Sequence, residues 1–435
     1  MTEKMQISAV PSLSNKTVSK LPSDVKIPIY DRNNLAAGIV HIGLGNFHRA
    51  HQAWYLHRLM QQGQAHDWAI IGAGVKEFDE GQRLKLLAQD FLTTLVELSP
   101  VGRTVEVVGS MIDYVPIEAD NGPLIAQMAK PEIKIVTLTV TEGGYYIDPV
   151  SKSFDSSHPD IAYDAAHPEA PKTAFGAMVA ALRLRRDSGV GPFTCQSCDN
   201  LQGNGATLRQ VIVALAGLSD PKLSKWIAAN CSFPNSMVDC IVPATTSKEL
   251  ALVHDLGISD EVPVTHEDFR QWVIEDNFVN GERPDLAAAG AQMVDDVTSF
   301  ERMKLRCLNG THSSLAYLGY LAGYETIFDT VSNPDFARYC QRLWSAEIIP
   351  SLNPPEGTNL PDYAQALFER YSNPAIRHLT WQIAMDGSQK LPQRIMETVT
   401  YLLKNGKSFK GLALAIAAWI QYAVSYTHLT LPTKA

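Results

Sequence analysis

An α/β fold is predicted: an N-terminal Rossmann-type domain with a mostly parallel sheet, followed by a mostly α-helical C-terminal domain. Three observations predict it. Short apolar runs alternate with helical stretches through the first two-thirds of the chain, as βαβ units require. The first apolar run leads straight into a Gly-x-Gly turn and a helix, the local form of a dinucleotide-binding turn. From about residue 298 the pattern is helical, with Gly and Pro at the turns. The expected division is a dinucleotide-binding domain over 1–292, an incomplete helical substrate and catalytic domain over 293–424, and a non-native tail over 425–435.

In order along the chain, residues 1–37 read as a polar lead-in. A strand at 38–43 enters Gly43-Leu-Gly45-Asn46-Phe47-His48-Arg49, and a helix follows to about residue 59. Buried-type strands are predicted at 68–74, 105–108, 133–141 and 193–197, with helices at 174–186 and 207–218. Helical periods then cover 300–322, 334–348, 362–371, 392–405 and 410–423. No helical period continues into 425–435, which is expected to be foreign sequence joined to a shortened chain. The alternative is a natural disordered terminus.

Bulk properties narrow the function. A chain of 435 residues can build two substantial cores. A net charge of −9 argues against nucleic acid as the main partner. Six dispersed cysteines give no disulfide framework and suit a reducing cytoplasm, the expected location. The polar N-terminus predicts no secretory signal, and no apolar run is long enough for a membrane helix. Cys195 and Cys198 have redox-like spacing, but three apart on a strand they point to opposite faces.

The chemistry-bearing residues fall in two groups. Gly43 and Gly45 permit a tight turn and close backbone approach to a pyrophosphate at a helix start. The usual third glycine is absent. Asp79, after the second strand, is placed to meet ribose hydroxyls, although farther from the glycines than the usual ~20 residues; a solvated loop aspartate beside Glu77 and Glu80 is the competing reading. His48 and His51 form a candidate metal pair, but no further ligand cluster accompanies them and no metal is expected.

The second group is Glu301-Arg-Met-Lys304-Leu-Arg-Cys-Leu-Asn309-Gly-Thr-His312. On one α-helix Glu301, Lys304, Asn309 and His312 share an arc of about 140°. That face offers a base, an amide donor, an imidazole and a carboxylate. Oxidising a secondary alcohol needs such a base and such donors. Lys304 serves only if burial or nearby cations depress its pKa. Asn200 and Glu142 each end a predicted strand, the edge where ligands gather on an open α/β sheet.

Two strings carry a resemblance. Gly43-x-Gly-x-Phe-His-Arg-Ala-His-Gln52 and Lys304-x4-Asn309-x2-His312 resemble the long-chain mannitol dehydrogenase family, which includes mannitol 2-dehydrogenases and fructuronate reductases. The resemblance covers about residues 28–423. It implies a metal-independent enzyme using NAD on a small polyol or sugar acid, and a monomer is expected. By resemblance Gly43, Gly45, Asn46, Phe47, His48 and Arg49 form the nucleotide turn, and Asp79 selects NAD. Lys304 is the base, Asn200 and Asn309 form an oxyanion hole, and His312 binds a substrate hydroxyl. Glu301 is a proton path to solvent and Glu142 belongs to the catalytic set. Asp239, Arg377 and Lys390 are assigned to the substrate side. Thr141-Glu-Gly143-Gly-Tyr145 looks like mannitol 2-dehydrogenases, since the fructuronate branch tends to carry lysine where Gly143 stands. The segment 378–390 looks like the fructuronate branch, and mannitol enzymes usually carry arginine where Gln382 stands. The expected function is a hexitol–ketohexose dehydrogenase. The alternatives are a hexuronate reductase and a non-catalytic sugar- or dinucleotide-binding relative.

Overall fold

Five short strands form one parallel sheet: β1 (Ala37–Ile42), β2 (Ala69–Ala73), β3 (Met111–Tyr114), β4 (Ile135–Leu138) and β5 (Thr194–Ser197). Their spatial order is β3-β2-β1-β4-β5. The chain is seen in a computed structural model that describes residues 10–148, 151 and 153–430, with backbone only for 425–430. All but the edge strand β3 are buried almost throughout, so the central strands β1, β2 and β4 read as mostly apolar runs rather than as an alternation. One face is covered by the helices Gly122–Ala129, Ala174–Ser188 and Asn204–Ser219, through Phe175, Met178, Leu208 and Val211. The other carries Tyr55, Leu56, Leu59 and Trp272. The sheet order reverses between β1 and β4, which leaves a crevice at their C-terminal ends, where ligands bind in such sheets.

Three expectations are corrected here. The strand predicted at 105–108 is Gly102–Val108, and it lies outside the parallel sheet. It folds back antiparallel on Thr93–Ser99 and joins a separate four-stranded sheet with Val25–Lys26 and Val264–Glu267. The 1–37 lead-in is therefore partly structural: Val25 is part of that sheet, and Leu13 is buried in the same core. The helix after the glycine turn is broken into Asn46–Ala50 and Gln52–Gln61, with His51 non-helical between them.

The C-terminal domain packs helices around Leu315, Trp344, Leu367, Ile395 and Leu412. Its first long helix is not one α-helix. Thr298–Lys304 and Thr311–Leu321 are joined by a π segment, Leu305–Gly310. A second π segment, Pro392–Met396, packs against it. The backbones touch: a Cβ on Gly310 would sit 2.6 Å from the Arg394 carbonyl oxygen, so only glycine fits. The last helix, Lys410–Thr430, runs on past the predicted end at 423. Residues 425–430 thus continue a helix, against the expectation for the tail; 431–435 lie outside the described residues.

Candidate active site

The π segment overturns the single α-helical face but still gathers the residues placed on it. Lys304, Glu301, Asn309 and His312 are all buried. Lys304 Nζ donates to Asn200 Oδ1 at 2.5 Å, so the loop after β5 and the first long helix of the second domain meet at the proposed base. Burial pulls the Lys304 ammonium down to about 8; Arg394 and Arg370 push the same way, while Asp239 and Glu142 oppose. Burial pushes Glu301 up to about 7. One Glu301 oxygen accepts from the Gly203 N–H at 3.0 Å. The other has no partner among the described residues. Burial and nearby cations hold His312 well below the usual histidine range, so it is a neutral imidazole. It stacks on Tyr371 at 5.2 Å and meets His378 edge-on at 4.6 Å. His312 Nε2 and Asn309 Oδ1 are buried and unpartnered among the described residues, which is costly unless a ligand satisfies them.

Two arginines missed in the sequence organise this cluster. Arg370 donates to both oxygens of Asp239 and both of Glu267, at 2.7–2.9 Å. It ties Leu360–Tyr371 of the helical domain to two Rossmann-domain strands, Ser236–Asp239 and Val264–Glu267. Arg394 donates to Glu142 Oε1 at 2.8 Å and to Ser313 Oγ at 3.3 Å. No sequence spacing signals either pairing, because each carboxylate partner lies more than a hundred residues away. Asp199, given only a supporting role by the sequence, cross-links two strand ends. It accepts from the Val140 and Thr141 N–H groups at 3.1 and 2.9 Å and from the Tyr145 hydroxyl at 2.7 Å. Thr141 is held at φ +67°, a conformation a β-branched residue adopts only under such constraint. Burial moves the Asp199 carboxyl up to about 6.

The nucleotide turn is narrower in membership than expected. Gly43 has φ +90°, and a Cβ there would lie 2.1 Å from the Thr139 carbonyl oxygen. Gly45 faces open space. Both line a cleft of about 770 Å³ with Asn46, Asp79 and Thr139–Thr141. Phe47, His48 and Arg49 do not line it. His48 is buried, stacked on His41 at 3.5 Å and bonded to Gln52 at 2.6 Å. Phe47 stacks on His51 at 4.9 Å. Arg49 is spent on the Val262 carbonyl and on Asn46 Oδ1. These three shape the turn from behind. His48 and His51 are separately engaged, His51 with the Gln271 carbonyl at 2.9 Å. Among the described residues no group of three or more His, Cys, Asp or Glu could hold a metal ion. Asp79 Oδ2 accepts from the Val75 and Lys76 N–H groups at 3.1 Å. It is thus a loop clamp at the cleft wall.

On the substrate side Asp239 is buried beneath Arg370, and its charge acts on Lys304. Lys390 donates to the Met385 carbonyl at 2.8 Å and lies 3.7 Å from Asp386; its field reaches His378. Arg377 is not brought to the cluster: it pairs with Glu325 at 2.7 Å on the surface. Gln382 and His378 line a separate cleft with Asn46 and Pro243. Among the described residues no helix is long and apolar enough to cross a membrane.

Comparison with known proteins adds an independent finding. The family model described as the mannitol dehydrogenase Rossmann domain matches residues 37–288, and that of the mannitol dehydrogenase C-terminal domain matches 296–429. The chain is 48% identical to a mannitol 2-dehydrogenase of Cereibacter sphaeroides, over 92% of this chain and 83% of that protein. It is also 48% identical to D-mannonate oxidoreductase of Escherichia coli K12, over 93% and 83%. Among solved structures, the Pseudomonas fluorescens mannitol 2-dehydrogenase ternary complex with NAD and D-mannitol superposes with a TM-score of 0.93 at 43% identity. That match covers 95% of this chain and 84% of that one.

Proposed function

The chain belongs to the mannitol dehydrogenase family, and from that premise we propose that it is an NAD-dependent polyol 2-dehydrogenase interconverting a hexitol and a ketohexose. The glycine turn fits the dinucleotide. Gly43 admits no side chain, Gly45 leaves space for close approach, and one Asp79 oxygen remains for a ribose hydroxyl once Oδ2 has bound the loop. When bound, NAD supplies the hydride acceptor for the carbinol carbon.

The chain's own residues supply the proton chemistry. Neutral Lys304 takes the hydroxyl proton. Its contact with Asn200 Oδ1 turns the Nδ2 of that planar amide away from the lysine, toward the alcohol oxygen, where it donates with Asn309 as negative charge develops. Neutral His312 aligns a neighbouring hydroxyl through Nε2. Glu301, near 7, lines an open cleft of about 970 Å³ with Glu142 and returns the proton to solvent.

The observation that carries the polyol choice is the state of the cations. A carboxylate substrate wants a charge-assisted partner. Arg370 is committed to two carboxylates, Arg394 to Glu142, Arg377 to Glu325, and Lys390 to a carbonyl and Asp386. Neutral hydroxyls need only the unpartnered groups that remain. The hexuronate-reductase reading rests on the segment 378–390, with Gln382 where mannitol enzymes usually carry arginine, and on the equal similarity to D-mannonate oxidoreductase. Reduction of fructose, fructuronate and tagaturonate with NADH and NADPH decides between them: kcat/KM should be highest for fructose. Higher values for fructuronate would move the chain to the hexuronate branch.

A further inference from the structure

The loop that carries Asn200 is gripped from the helical domain by a side chain to which the chemistry above gives no part. Gln393 lies in the π segment Pro392–Met396. Its Nε2 donates to the Asn200 carbonyl at 2.9 Å, and its Oε1 accepts from the Gln202 N–H at 3.0 Å. One partner is an acceptor and the other a donor, so only one orientation of the amide satisfies both. The neighbouring N–H groups are held elsewhere: Leu201 by the Asp199 carbonyl at 2.9 Å, Gly203 by Glu301 at 3.0 Å. The next residue, Arg394, grips the other strand-end loop through Glu142. The frame behind both is rigid, because the Arg394 carbonyl abuts Gly310. Two consecutive side chains of one π turn therefore fasten the loops after β4 and β5.

We propose that Gln393 is a positioning residue for hydride transfer. By holding the main chain at Asn200 and at Gln202, it fixes the plane of the Asn200 amide, so that Oδ1 meets Lys304 while Nδ2 faces the alcohol oxygen. The proposal rests on the reading of Asn200 as a donor to that oxygen. Without the clamp, the one hydrogen bond left on Asn200 itself among the described residues is that of its side chain with Lys304, and the amide gains freedom to turn.

The test is a double-mutant cycle with the better substrate of the panel above. Gln393→Ala and Gln393→Met remove both bonds, and Met keeps the bulk. Each should lower kcat by tenfold or more, since misplacing a reacting group by about 1 Å costs on the order of a hundredfold. KM for NADH should stay within about twofold, because the nucleotide cleft is untouched. In an Asn200→Ala background the same changes should cost nothing further, since residues acting through one group are not additive. A full-rate, folded Gln393→Met variant overturns the proposal. So do additive losses alongside a slow Asn200→Ala variant, with Asn200 itself upheld. A full-rate Asn200→Ala variant removes the Asn200 reading and the proposal with it.

Discussion

Lys304 has the most measurable consequence. An ordinary lysine, at 10.5, is neutral in about one molecule in a thousand at roughly pH 7.5, whereas at about 8 the neutral fraction is about a quarter. Burial thus raises the population of competent base by about two hundredfold. The sign is fixed by the direction of reaction. Alcohol oxidation requires the neutral amine, so kcat/KM for mannitol should rise with pH and level off above about 8. Ketose reduction requires the ammonium, and its rate should fall through the same value. Lys304→Ala should lower oxidation by about 10²–10⁴-fold, the usual worth of a positioned base, and should abolish the limb near 8. Lys304→Arg should be no better, because a guanidinium does not release its proton in this range. Initial rates from about pH 6 to 10, with folding checked by circular dichroism, measure all three. A folded Lys304→Ala variant with wild-type turnover and an unchanged profile would refute the base assignment.

Three further outcomes follow from the same geometry. The Lys304 value in the folded chain lies below its unfolded value, so charge on it disfavours folding at neutral pH and this penalty vanishes as pH rises from about 8 past 10.5. Calorimetry should find Lys304→Met more stable than the parent at neutral pH, with the gap narrowing across that window. Arg370→Met leaves Asp239 and Glu267 buried without their cation, and should cost about 3–5 kcal/mol in denaturant titrations; a loss under about 1 kcal/mol would mean water replaces the arginine. Asp79→Asn keeps an acceptor for the Val75 and Lys76 N–H groups but loses the negative charge. The NADP/NAD ratio of kcat/KM should rise, and an unchanged ratio would leave Asp79 a loop clamp and nothing more.

The parallel sheet was legible because its central strands are buried on both faces and therefore mostly apolar, as in Ile39–Ile42 and Ile135–Leu138, where only His41 and Thr137 are polar. The hairpin Thr93–Ser99 to Gly102–Val108 was not, since a short β-branched run such as Val105-Glu106-Val107-Val108 looks alike in either kind of sheet. The spacing of Lys304, Asn309 and His312 marked them as one cluster, and the fold does bury them together, but the spacing gave no sign of the π segment between them. At that segment Arg394 approaches Gly310, a contact between residues 84 apart in sequence that no local pattern announces. Arg370 and Arg394 were illegible for the same reason: their carboxylate partners are set by the docking of two domains. Phe47, His48 and Arg49 show the converse case. They belong to the motif string, yet they support the turn from its buried side.

The contact at Gly310 also fixes how this machine can come apart. With the Arg394 carbonyl seated where a side chain would be, the two π turns behave as one mechanical part carrying Lys304, Asn309, His312, Gln393 and Arg394 together. A rotation of the helical domain away from the sheet would lift all five at once. Asn200 and Glu142 would stay behind on their strands. On the mechanism proposed above, any such rotation would part Lys304 from Asn200 and Arg394 from Glu142 together, so opening and loss of the proposed proton-handling assembly would be a single motion.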